Sequence, residues 1–223
     1  FQGEMDLDGS SKNVKIDLKF NAETAIVDFQ NALILDATAL AIAQAKWSKS
    51  FFEKLKDSKK NHFEQGGRLT GMIEIDGDLR KVDFSSMRDH SWGIRKWGGW
   101  KRHVWIGGML ENKEAFNLSM VQYDYMGQLS AGFITEGDQI HYLRELPTIE
   151  EFASNPLFPG KLDLKLKYSD GIEYHLKSER NTFVPYNMDD EYLINEGISF
   201  GTVNGTPIKL VTEFGFNPSH YDL

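Results

Sequence analysis

Alternation is the feature that most constrains this chain. Leu162, Leu164, Leu166 and Tyr168 are separated by Asp163, Lys165 and Lys167, so apolar side chains recur at every second position. An extended strand puts alternate side chains on one face, and a sheet with one dry and one wet face selects for that pattern. Val14, Ile16, Leu18 and Phe20 alternate in the same way with Lys15, Asp17 and Lys19. Asp76-Gly77 separates two such runs, at residues 69–75 and 79–84, and Asn204-Gly205 separates another pair, at 194–203 and 207–216. Both dipeptides suit the tight turns that join antiparallel strands. Further strands are expected at 25–29, 100–110, 114–125, 129–135 and 139–143, and Ser169-Asp170-Gly171 turns the 162–168 strand into one carrying Ile172, Tyr174 and Leu176.

One stretch has a different period. Leu40, Ala43, Trp47, Phe51 and Leu55 fall at helical spacing within residues 36–60, with Asp36 placed as an N-cap. Lys54, Lys56, Lys59 and Lys60 crowd its C-terminal end, where they complement the helix dipole and read as a solvated face. Many antiparallel strands with one long helix mean a mainly β chain, built as a barrel or sandwich from about Gly66 onward, with the helix packed on its outside or across one end. The longest irregular connection falls at 147–159. Phe1-Gln2-Gly3 reads as the residue of a cleavable tag, which leaves the natural N-terminus open, and 4–11 as a loose lead-in. The expected organisation is therefore 1–11 lead-in, 12–35 N-terminal strands, 36–62 helix and 63–223 β-domain. The strands of 12–35 either belong to one continuous domain or are the last strands of a preceding one.

Composition narrows the function classes. With 40% hydrophobic and 13% aromatic residues, the 223-residue chain can bury a substantial core. It has no apolar run near the ~18 residues that cross a bilayer. A net charge of -8 opposes binding to phosphate backbones, so no nucleic-acid partner is expected. The absence of cysteine excludes disulfides, thiolate metal sites and cysteine nucleophiles, and says little about compartment; a cytoplasmic location is the default expectation.

The densest chemistry lies in 88–97, which holds Arg88, Asp89, His90, Trp92, Arg95 and Trp97. Carboxylates and imidazoles beside indoles are partly desolvated, which tunes them for proton transfer. Arg–Asp pairs also pin loops, and residue types alone favour that structural role. His62, Glu64 and Gln65 form a second polar group after the helix, and the two segments are expected to approach each other. His62, Glu64, Asp89, His90 and His103 are nitrogen and oxygen donors, yet no metal-binding spacing links them, so no metal or other cofactor is expected. P-loop and nucleophile-elbow motifs are absent. Asn117-Leu118-Ser119 and Asn204-Gly205-Thr206 match the glycosylation sequon within strand and turn sequence.

These segments together carry a resemblance. His62-Phe63-Glu64-Gln65-Gly66-Gly67-Arg68-Leu69-Thr70-Gly71, then Ile75-Asp76-Gly77, then Arg88-Asp89-His90-Ser91-Trp92-Gly93, resemble an uncharacterised lipocalin-like domain of the group that includes carotenoid hydratase and fungal Diels–Alderase-like proteins. Glu196-Gly197, Val203-Asn204-Gly205 and Glu213-Phe214-Gly215 are similar to its closing hairpin. Lys46-Trp47-Ser48 and Phe51-Phe52 are similar to the helix preceding this domain in animal phosphoenolpyruvate-synthase-like proteins. The resemblance implies a lipocalin-like barrel and a hydrophobic ligand, terpenoid, polyene or lipid-like, held in its cavity. It implies acid-assisted hydration, cyclisation or isomerisation, with Asp89, His90 and Glu64 as proton donors or orienters. His62, Gln65, Arg88, Trp92, Arg95, Trp97 and Tyr123 would then line the site. Asp89, flanked by arginines, is expected to be held in an ion pair, with His90 or Glu64 facing the cavity. The rival expectation is a non-catalytic interaction module whose barrel is filled by its own side chains. Oligomeric state is left open.

Overall fold

The computed structural model describes residues 1–7, 9–57, 61–93, 97–146, 158–169, 171–188 and 190–220. Two antiparallel layers divide the chain. The first is a five-stranded sheet of β1 (Gln2–Leu7), β2 (Ser10–Ala22), β3 (Val27–Asp28), β4 (Asn61–Ile75) and β5 (Asp78–Trp92). Central β4 pairs with β2 and β3 along one edge and with β5 along the other. The second is a closed eight-stranded barrel of β6 (Trp100–Leu110), β7 (Ala115–Tyr123), β8 (Gln128–Glu136), β9 (Gln139–Glu145), β10 (Lys161–Tyr168), β11 (Glu173–Met188), β12 (Tyr192–Val203) and β13 (Thr206–Phe216).

The architecture is the mainly antiparallel β fold that the alternation requires, and its details differ in three places. The barrel begins at Trp100 rather than near Gly66, because β4 and β5 pair with the N-terminal strands. Alternation specifies which face of a strand is dry but not which strands it joins. Second, 2–7 is a strand paired with β2 rather than a loose lead-in. Third, the single helix is two, α1 (Leu35–Ala43) and α2 (Lys49–Asp57). Ile34, not Asp36, stands at the first N-cap. Ser48 starts α2 by accepting the Phe51 amide at 3.1 Å, and Trp47 closes the break by donating its indole N–H to the Ile42 carbonyl at 2.8 Å. The break turns Leu40 and Trp47 to solvent and leaves Phe51 buried.

The inner face of the barrel carries Val104, Ile106, Leu118, Leu166, Leu176 and Phe214, all buried in one cluster with Phe116, Tyr168 and Leu210. An eight-stranded barrel is just wide enough for such side chains to fill. The outer face of β6–β8 packs under β4 through a smaller seam of Val27, Ala32, Met109, Ala115, Ala131 and Phe133. Gly66 makes this contact possible. A methyl there would overlap Met109 Sδ and Ala115 Cβ, so only a bare Cα lets β4 lie directly on β6 and β7. At the hairpin tips, Asp76 and Gly77 (φ 48° and 88°) and Asn204 and Gly205 (φ 48° and 86°) adopt the left-handed conformations a two-residue turn demands.

Candidate functional site

The close approach at Gly66 fixes the position of the residue two places before it. Glu64 points the same way, toward the barrel, and its side chain is fully buried. Barrel donors meet it there. Trp105 on β6 donates its indole N–H to Glu64 Oε1 at 2.7 Å, and Asn117 on β7 donates its amide to the same oxygen at 3.3 Å. Ser119 orients that amide by donating to Asn117 Oδ1 at 2.8 Å. Glu64 Oε2, also buried, has no hydrogen-bond partner among the described residues.

The same face of β4 and β5 carries His62 and Asp89. His62 Nε2 lies 3.0 Å from Asp89 Oδ2 and 3.3 Å from Glu64 Oε1, so two carboxylates converge on one ring nitrogen. Phe29 stacks on the imidazole with centroids 4.3 Å apart. Exposure is graded across the cluster: the Asp89 side chain is 44% exposed, His62 18% and Glu64 0%. Burial disfavours a charged imidazole, but hydrogen bonds to Asp89 and Glu64, with their charges, outweigh it and raise His62 to about 9. Burial also pushes the Glu64 carboxyl up, against the opposing pull of His62 and Trp105. The cluster can therefore hold a proton at neutral pH and pass it between a solvent-facing carboxylate and a buried one. The donor atoms of His62, Glu64 and Asp89 all lie within 4.8 Å of one another, a spacing that also suits a shared divalent ion.

The other expected site residues are distributed by the two-residue period of the strands. The 61–65 and 88–92 segments do come together, as paired strands with Glu64 opposite Asp89 and Phe63 opposite His90. Asp89 is not locked to Arg88, because neighbours in a strand point to opposite faces. Arg88 lies on the reverse face, donating to Gln65 Oε1 at 2.9 Å and covering the rings of Phe20 and Phe63. Gln65 in turn donates to the Thr24 carbonyl at 3.0 Å. His90 is on that reverse face as well, stacked on Phe63 and edge-on to Trp92, and it is exposed. Arg95 lies outside the described residues, as does most of the expected 147–159 connection. Trp97 and Tyr123 belong to a separate aromatic group around Trp100.

That group borders a second ionisable cluster around His103, which the residue types offered as a scattered donor but not as part of this grouping. His103, on the outer face of β6, joins the Tyr192 hydroxyl at 2.7 Å through Nδ1 and Glu213 through Nε2. Its ring lies flat over Gly215, where any side chain would strike it. Trp105, Asn117 and Ser119 were equally unmarked as site residues. Their one sequence signal was the sequon Asn117-Leu118-Ser119, which the structure uses internally, with Asn117 wholly buried against Glu64.

A family model described as "Domain of unknown function (DUF7064)" matches residues 2–214. The chain belongs to this family. Among solved structures, an ATTH-like protein from Nitrosomonas europaea aligns over 96% of this chain and 63% of its own length, with a TM-score of 0.53 and 10% identity. Kievitone hydratase from Nectria haematococca aligns over 97% of this chain and 64% of its own, with a TM-score of 0.49 and 14% identity. At 10% identity the likeness to the Nitrosomonas protein is one of fold alone, and the closed antiparallel barrel is consistent with a lipocalin-like fold. The chain spans under two thirds of the length of either structure. A search among curated proteins returns no match. Among the described residues, no helix is long and apolar enough to cross a membrane.

Proposed function

We propose that this chain binds a hydrophobic small molecule along the seam between sheet and barrel, and that the His62–Glu64–Asp89 cluster performs acid–base chemistry on it. The observation that carries this reading is the convergence of two carboxylates on His62 Nε2, with exposure rising from Glu64 to Asp89. Trp105 and Asn117 hold Glu64, and Glu64 with Phe29 orients the imidazole. The substrate would approach from the Asp89 side, the side open to water.

A surface that crosses Glu213 and Glu196 to exposed apolar side chains continues outward from that point. Trp105, Glu213, Glu196 and Val184 are successive cross-strand partners on the outer face of the barrel. Val184, Tyr186, Ile198 and Phe200 on this face are 39–52% exposed. Relative to the lumen binding that the resemblance implies, this reading places the ligand on the barrel's outer wall, since a contiguous cluster of buried apolar side chains lies on the inner face.

In a hydration, the His62 imidazolium gives its proton to one carbon of a double bond, water adds its oxygen to the other, and Asp89 takes the proton that water loses. The Asp89–His62 hydrogen bond then returns that proton to the ring. So weak an acid protonates only a strongly electron-rich double bond, and an enol-like substrate suits it. Isomerisation or cyclisation needs the same donor and acceptor without the water.

The contiguous cluster of buried apolar side chains on the barrel's inner face favours a second reading, a non-catalytic interaction module in which His62, Glu64 and Asp89 pin the two layers together. One experiment separates the two. Organic extract of the purified protein is analysed by mass spectrometry, and any recovered compound is incubated with the protein in heavy water. Deuterium incorporated at carbon by the native chain, and lost in His62→Gln with folding intact, supports the enzyme. An empty extract, or incorporation indifferent to His62→Gln, leaves the interaction module.

A further inference from the structure

Away from the His62 cluster, the α1–α2 break and the ends of β6 and β7 enclose an open groove of about 420 Å3, a size typical of small-molecule sites. Lys46, Lys54 and Lys101 line it. None of the three has a carboxylate partner among the described residues, and Lys54 is instead held 5.1 Å over the Tyr125 ring. Three uncompensated ammonium groups around one groove are unexpected in a chain of net charge -8. An anion entering the groove would be attracted by all three. Asp124 also lines the groove, yet none of these lysines forms an ion pair with it among the described residues. The hydroxyls of Ser48 and Ser50 stand at the start of α2, 3.0 Å apart, and add donors at the positive end of the helix.

The opposite side of the groove is of another character. Phe51 and Met126 are buried at 3% and 5% exposure, and Tyr123 and Tyr125 pack beside them. We infer that this groove binds an amphiphilic anion, a phosphate or carboxylate head on an apolar body, with the head among the three lysines and the body along the half-buried rings of Tyr123 and Tyr125, which Phe51 backs from the core. The site is distinct from the acid–base cluster and does not depend on what that cluster does.

Titration calorimetry with dodecyl phosphate, laurate, dodecanol and inorganic phosphate tests this, each amphiphile being kept below its micelle threshold. Both amphiphilic anions, or one of them, should bind at least tenfold more tightly than dodecanol and than inorganic phosphate, and the ranking of the two identifies the head group. The double variant Lys54→Gln/Lys101→Gln should weaken binding at least tenfold, as should raising salt from 50 to 300 mM. Phe51 supports the fold, so Tyr125→Leu, at a half-buried ring, checks the apolar side and should weaken the amphiphile alone. His62→Gln should leave the affinity unchanged, which separates this site from the proposed catalytic one. Equal affinity for dodecanol, equal affinity for inorganic phosphate, or indifference to the lysine variant would each overturn the inference.

Discussion

Trp105 and Glu64 are 41 residues apart in sequence, and the indole N–H of one meets a carboxylate oxygen of the other at 2.7 Å. The bond joins the barrel to the sheet at a carboxylate with no solvent exposure. Trp105→Phe keeps most of the apolar contact and removes the donor. It should cost about 1–3 kcal/mol, the range for a buried acceptor losing a partner. Urea unfolding of the two proteins measures it, and a loss well under that range would show that water or Asn117 replaces the indole.

His62 sets a pH dependence. Its pKa is raised on folding from 6.5 to about 9. A group with a raised folded pKa contributes stability that is complete below its unfolded pKa and lost as pH rises through the folded one. Glu64, also raised by burial, acts in the same direction. Stability should therefore fall between pH 6.5 and 9, by at most about 3 kcal/mol from His62. Melting curves across this window should slope downward for the native chain and flatten in His62→Gln. An equal slope in both would assign the effect elsewhere.

Gly66→Ala tests the seam. Its methyl would overlap Met109 Sδ and Ala115 Cβ, so a cost of roughly 1–3 kcal/mol is expected, as for other overpacked cores. Met109→Ala alone is also destabilising, through the cavity it leaves. The double variant should nevertheless recover part of the Gly66→Ala loss, because the new methyl then has space. Denaturant midpoints of the four proteins give the coupling, and strict additivity would place the strain elsewhere.

Much of this was legible from residue order, and the limits of that reading have physical causes. Residues 100–110 were read as a strand and form β6 with the same bounds, and the Asp76-Gly77 and Asn204-Gly205 turns sit at the tips of their hairpins. These are local signals: a two-residue period and a backbone only a few side chains tolerate. The joining of β4 and β5 to the first sheet is not local, because any strand with a matching dry face satisfies the same pattern. At the site, Glu64 and Asp89 stood out as carboxylates in unusual company. Asp89 and His90 were grouped because they are adjacent in sequence, and adjacency in a strand is what separates them in space. Trp105 and Asn117 reach Glu64 across 41 and 53 residues, and nothing near them in sequence announces that contact.

Asn117 offers a plain biochemical check. Its side chain is fully buried and engaged with Glu64, so the sequon it opens should stay unmodified when the chain is expressed through a secretory pathway. Intact mass would reveal a glycan on Asn117. Asn117→Asp should be strongly destabilising, because it sets a second carboxylate beside a buried one.

The ligands of Glu64 come from both layers: His62 from the sheet, Trp105 and Asn117 from the barrel. Prising the layers apart would do more than expose apolar seam. It would admit water to a carboxyl group whose neutral form is favoured by dryness, and so weaken that group's hold on a proton. Separation of the layers and the proton affinity of the cluster are then thermodynamically coupled. By reciprocity, alkaline conditions favour the open form, and a molecule that wedges between β5 and the barrel should acidify the medium as it binds.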